Sequence, residues 1–201
     1  MPPRLLLALG FLLLAVAAPV AARADEPDAV IRAFNDRLLQ AMKDGPKLGF
    51  KGRVDLLAPV VAQAYDMTAM TRQTLGTAAA RLTADEVKRM GEAYTRFSVA
   101  NYAAQYKWWT GEKLDVGAPR PSVGGAVVVP TWVVAKDGDS TGIDYVLREE
   151  QGRWRVVDVL YEGNVSQVAV RRSEFVSIFR AKGIDGLIET LDKNTDLLDR
   201  N

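Results

Sequence analysis

Four charged residues in the stretch RWRVVDVLYEGNVSQVAVRRSEF, residues 153–175, are the first candidates for chemistry. Asp158 and Glu162 could serve as general acid or base, and Arg171 and Arg172 could hold an anion. Their positions bear on the choice between catalysis and support. Asp158 alternates with Trp154, Val156 and Leu160, which places it on an apolar-looking strand face. After Gly163 the period changes to that of a helix. With Val168 at zero and roughly 100° per residue, Phe175, Phe179, Val165 and Val176 form one stripe; Arg172 falls inside it at about 40° and Arg171 on its margin at about −60°. A guanidinium in such a stripe needs a carboxylate or several carbonyls. The expectation is an ion pair, Asp158–Arg172 or Asp158–Arg171, joining strand to helix, with Glu162 as the second choice of carboxylate. The functional rival is an arginine that meets the polar head of a ligand.

The remaining chemistry is sparse. The chain has no Cys and no His. Thiol nucleophiles, disulfides, histidine bases and ordinary zinc sites are thereby excluded. Ser166 and Ser173 have no evident base. Asp137 to Ser140 with Asp144 lacks the spacing of a calcium loop and reads as a hairpin turn. Asn164-Val165-Ser166 fits a glycosylation pattern without further support. Aromatic residues are the larger constellation: Tyr94, Phe97, Tyr102, Tyr106, Trp108 and Trp109 on one helix and its end, and Trp132, Tyr145, Trp154 and Tyr161 on strands. They fit an ordinary core or the wall of a ligand cavity equally well. In KWWTG, residues 107–111, adjacent tryptophans do not both reach a core easily; two readings stay open, one exposed indole against a partner or lipid head groups, or two partly buried aromatics at a helix end.

The elements that position these residues follow from periodicity. Pro27 to Lys43 predicts an amphipathic helix ended by Gly45-Pro46. Arg53 to Tyr65 predicts a shorter one, started or interrupted by Pro59, and Met67 to Leu75 a third. Thr83 and Glu86 form a capping box ahead of a long helix to about Tyr106. From Lys113 the period becomes two. Gly125–Ala135, Thr141–Glu149 and Arg153–Tyr161 predict an antiparallel meander, with Lys113–Val123 as a fourth strand and Pro130 marking an edge or bulge. Val165–Ala181 and Ile184–Leu198 return to helix. The fold class is α+β: a curved antiparallel sheet of about four strands packed against several helices.

The first residues read as a leader. Arg4 precedes an uncharged run from Leu5, and Ala22-Arg23-Ala24 offers a small-x-small cleavage site. Residues 1–24 are therefore expected to be a signal peptide and 25–201 a single domain; the rival is an uncleaved anchor. Removing Arg4 and Arg23 turns a net charge of +1 into −1. A near-neutral chain with dispersed charge argues against nucleic-acid binding.

YDMTAMTRQTLG, then GRWRVVDVLYEGNVSQVAVRRSEF, then GIDGLIETL, in that order and spacing, resemble the MlaC family, periplasmic lipid carriers associated with ABC-type lipid transport and toluene tolerance. The AVRRSEF form is most similar to the hopanoid-associated HpnM branch. The resemblance covers about residues 27 to 198. It implies an apolar cavity between a curved sheet and helices, in general shape an NTF2-like cone. It implies a monomeric shuttle that carries a lipid, hopanoid or phospholipid, between membrane-embedded transporter components. No catalytic residue, metal or cofactor is implied beyond the lipid cargo. By position, the cavity candidates are Phe97, Trp132, Ile143, Tyr145, Leu147, Val157, Val159, Tyr161, Phe175 and Phe179. The Val157 parity of the last strand is assigned to the cavity and the Asp158 parity to the brace. Two other readings stay open: a carboxylate-dependent enzyme on a cone-shaped scaffold, and a non-catalytic envelope adaptor.

Overall fold

Residues 26–200 are described by the structure, a computed structural model. The expected leader, residues 1–24, lies outside them. Helix α1 (Pro27–Lys43) starts on a proline, where the missing N–H costs nothing, and buries Ile31, Phe34, Leu38 and Met42. Helix α2 (Gly45–Ala64) begins eight residues before its expected start. Its backbone leaves helical geometry at Gly49 (φ 63°), a left-handed conformation natural to glycine; Pro59 sits within the helix. Asp66 caps α3 (Met67–Leu75) by accepting the Ala69 N–H at 2.8 Å. After a 3-10 turn at Gly76–Arg81 comes α4 (Ala84–Gln105). Here the capping box forms in both directions: Glu86 N–H to Thr83 Oγ1 at 3.2 Å and Thr83 N–H to Glu86 Oε2 at 2.7 Å.

The sheet runs β1 (Lys113–Val116), β3 (Val127–Val134), β4 (Ser140–Glu150), β5 (Arg153–Tyr161), β6 (Val165–Ser166), all antiparallel, with β2 (Arg120–Pro121) also paired to β3. The single strand expected over 113–123 is thus split in two. Pro130 sits where the edge partner of β3 changes from β1 to β2, the interruption that a residue without an N–H imposes. Helix α5 (Gln167–Leu198) closes the chain and departs from helical geometry at Gly183 (φ 70°), between the two helices read from the sequence.

The β4–β5 pairing carries a bulge. Tyr145 faces Val159 and Val146 faces Asp158, but Leu147 faces Val156, so Val157 is the extra residue. Val156 and Val159 therefore both enter the core, which no strict period-two reading allows. This corrects the assignment of Val157 to the inward set: it is buried, yet outside the main cluster. Ile143, Tyr145 and Leu147 do join that cluster, together with Phe34 of α1 and Phe97 of α4.

One buried cation ties the helical layer together. Arg53 of α2 donates from Nε to the Ala103 carbonyl at 2.7 Å and from Nη1 to the Gly45 carbonyl at 3.2 Å. The first is a carbonyl in the last turn of α4, where helix carbonyls lack partners and the dipole favours a cation. Burial lowers the Arg53 pKa from its ordinary value. Replacing Arg53 by Ala strands both carbonyls; a loss of about 1–3 kcal/mol is expected, read as a lower denaturant midpoint at unchanged slope.

Candidate functional site

One face of α4 carries Tyr94, Phe97, Ser98, Asn101, Tyr102 and Gln105, residues spaced by three and four. Opposite stand Val159 and Tyr161 of β5. Tyr65 and Met70 come from the α2–α3 junction, and Gln167 and Arg171 from the first turns of α5. Together these side chains line a cavity of about 100 Å³. Its wall is aromatic. Phe34 stands edge-on to Tyr65, Tyr102 and Tyr145, with ring centroids 5.5, 5.2 and 6.0 Å away, and Tyr94 stands edge-on to Phe175 at 5.1 Å. The Tyr65 and Tyr102 hydroxyls hydrogen-bond to each other. Ser98, Asn101, Gln105, Gln167 and Arg171 supply polar groups to the same lining. Arg171 bonds Glu174 at 3.0 Å and lies 5.0 Å from the Phe97 ring centroid. The arrangement is an aromatic interior with amide, hydroxyl and guanidinium donors: suited to an apolar body with a polar end, and without an evident nucleophile–base pair.

Of the residues expected to line a cavity, Phe97, Val159 and Tyr161 do so. Ile143, Tyr145, Leu147 and Phe175 are packed in the core around it. Two placements need correction. Trp132 lies on the other face of β3, paired with Gly142, 40% exposed and covering Gly117. Phe179 lines a separate surface groove beside the 3-10 turn at Gly76–Arg81. Tyr65 and Met70 escaped the sequence reading because nothing in their local pattern points inward from a helix junction. Asn101 and Gln105 escaped because a polar residue at a cavity looks the same in sequence as one facing solvent.

The expected ion pair is absent from the structure. Asp158 instead accepts the Val159 N–H at 2.8 Å and the Val168 N–H at 3.1 Å on one oxygen, and the Ser166 hydroxyl on the other. Ser166 in turn caps α5 by accepting the Ala169 N–H at 3.0 Å. So Asp158 does join strand to helix, but through backbone donors at the helix N-terminus. Arg172 is exposed and donates from Nε to the Gln73 carbonyl at 2.9 Å. Val165, counted on the helix, belongs to β6 and is exposed, and Val176 and Phe179, the apolar residues on the Arg172 side of the stripe, are only half-buried. In these turns only Val168 and Phe175 are buried, and Arg171 and Arg172 flank them at equal angles of about 50°, so the wheel alone does not choose between the two arginines. Glu162 is exposed in the β5–β6 turn at φ 50° and meets neither arginine.

The family model for the MlaC protein matches residues 32–193. The chain belongs to the MlaC family. Its fold is similar to that of a phospholipid-binding protein from Ralstonia solanacearum, solved in complex with a phospholipid: TM-score 0.72, 18% identity, covering 86% of this chain and 98% of that one. A comparison with curated proteins finds no match. The MlaC fold sets the helices α4 and α5 against the curved sheet, and the cavity of this family member lies between them. Among the described residues no helix is long and apolar enough to cross a membrane.

Asp158→Ala should cost about 1–3 kcal/mol by freeing two N–H groups and the Ser166 hydroxyl, whereas Arg172→Ala should stay within about 0.5 kcal/mol; chemical denaturation of both separates clamp from bystander. The tyrosines give a second expectation. Burial pushes Tyr94 and Tyr106 up to about 12, and Tyr65, Tyr102 and Tyr145 also rise, burial being the first cause in each. A phenol whose folded pKa is raised adds stability that is complete below the unfolded value of 10 and is lost as pH climbs through the folded value. Phenolate absorbance of these five should thus appear late and together with unfolding, at pH of about 12 and above.

Proposed function

We propose that this chain is a periplasmic lipid carrier that takes an acyl-chain phospholipid between membrane-embedded transporter components, one molecule at a time and without breaking bonds. The observation that carries this reading is the aromatic cavity between α4, α5 and β5, with polar donors in its lining, in a member of the MlaC family. The fold neighbour from Ralstonia solanacearum is named for binding a phospholipid, which supports the same cargo class. Transport needs such a sleeve because each methylene exposed to water costs about 0.8 kcal/mol. The cavity, about 100 Å³, is below the roughly 300 Å³ at which ligand pockets begin. Cargo therefore enters by parting the helices from the sheet rather than by filling a standing hole. Burial in the sleeve replaces water contact for the tails, while Arg171, Gln167 and Asn101 offer donors to the polar end.

The similarity of AVRRSEF to the hopanoid-associated branch supports a second cargo, a rigid fused-ring lipid. Native mass spectrometry followed by lipid extraction decides between them. Protein purified from its own envelope should carry a stoichiometric lipid mass, and acyl lipid in the extract is the expected outcome. A ring lipid would reassign the cargo to the hopanoid class. Protein that stays empty after incubation with both would sink the carrier reading in favour of an adaptor. Ser98→Trp, which fills the half-buried position between Phe97 and Asn101, should abolish the lipid mass with the circular dichroism spectrum intact.

A further inference from the structure

The KWWTG stretch has no part in the cavity, yet it sits beside it. Trp108 is 60% exposed and Trp109 46%, the two most exposed tryptophans of the chain's four among the described residues. The Trp109 indole N–H is already used, donating to the Glu112 carbonyl at 3.0 Å, and Lys43 Nζ lies 5.2 Å from a Trp109 ring centre. Thr110 binds both Glu112 carboxylate oxygens, at 2.7 Å through its N–H and 2.6 Å through its hydroxyl. The loop is therefore folded on itself and presents the indoles on a fixed base. Lysines lie on the adjoining segments: Lys43 against Trp109, Lys136 with its stem against Gly111, Lys107 preceding the pair, Lys113 at the start of β1, and Lys47 two residues past Gly45, which packs on Lys107. The carboxylates on the same loops are Asp44, Glu112, Asp137 and Asp139. Two of these are turned onto backbone N–H groups, Glu112 as above and Asp137 onto the Asp139 N–H at 3.2 Å.

Exposed paired indoles with an N–H satisfied and ammonium groups alongside match the chemistry of the headgroup layer of a bilayer, where tryptophan sits and lysine meets phosphate. We propose that Trp108 and Trp109 form a docking tip that seats this end of the molecule on a phospholipid membrane, strengthened by anionic lipid. The tip is three residues from Gln105 of the cavity lining, at most about 10 Å along the chain. Docking therefore brings the cavity close to the headgroups. That link to cargo transfer rests on the carrier reading; the docking surface itself does not.

The test uses the chain from residue 26 onward, which holds the whole described fold, so that the apolar residues 5–22 do not bind vesicles themselves. Sedimentation with vesicles of phosphatidylcholine plus phosphatidylglycerol should show binding, weaker on phosphatidylcholine alone and accompanied by a blue shift of tryptophan emission. Trp108→Ala should weaken binding about tenfold or more, as expected for one large apolar side chain withdrawn. Lys113→Ala should weaken it roughly fivefold on the mixed vesicles only. Absence of binding by the unaltered chain, or equal binding by Trp108→Ala, overturns the proposal. So does self-association that Trp108→Ala abolishes without any vesicle binding, which would assign the tip to a second copy. Lipid retention is weighed separately on the same samples. A chain that docks but stays empty keeps the tip and loses the carrier function; one that holds lipid but does not dock does the reverse.

Discussion

A carboxylate held against the first N–H groups of a helix determines how the two layers of this molecule meet. Helix α5 begins with unpaired donors and a positive dipole end, and β5 offers Asp158 directly to them. The same carboxylate holds Ser166, and Ser166 holds the next free N–H of the helix. Between strand and helix the chain reverses through Glu162 and Gly163, both at positive φ. The direction of α5 as it leaves the sheet is thereby set within a few residues. Gln167 and Arg171, which α5 brings to the cavity, are one and five residues beyond the cap. Phe175, four further on, reaches Tyr94 on α4.

Around that clamp the division of labour is plain. The sheet supplies a curved apolar floor, α1 supplies Phe34 behind it, and α4 supplies both aromatic and amide side chains along one face. Arg53 fixes the far end of α4 through a carbonyl rather than through an ion pair. Ion pairs between α4 and α5, Arg89–Asp185 and Arg96–Asp192, are solvent-exposed and add little to stability. The interior is held by burial and by edge-on ring contacts.

Much of this was legible in the residues. Thr83 and Glu86 announce the start of α4 because a capping box is a local device, and it formed as read. The strand order of β3, β4 and β5 followed from their turns, and the inward set Ile143, Tyr145 and Leu147 from alternation. What escaped was non-local. Val165 went to β6 by pairing with Tyr161 rather than by period, and the exposure of Arg172 depended on how far the neighbouring helices and sheet cover the Val176 and Phe179 side of α5. Trp132 was placed inward by position, but the face it occupies is set by its register against Gly142. An aspartate that caps a helix eight residues later in the chain carries the same signature as one that pairs with arginine, since both lie on apolar strand faces.

The bulge at Val157 also constrains how such a chain can change in length. A valine there can be exchanged for another β-branched residue with little consequence, because its task is to occupy a place in the count. Losing Val157 would restore strict alternation along β5 and put Val156 and Val159 on opposite faces, so that one of them leaves the core. The exposed turn at Asp137–Gly138 has no such bookkeeping role. The chain can thus change length at the Asp137–Gly138 end of β4 without moving the core, whereas on β5 the count of residues itself holds Val156 and Val159 inside.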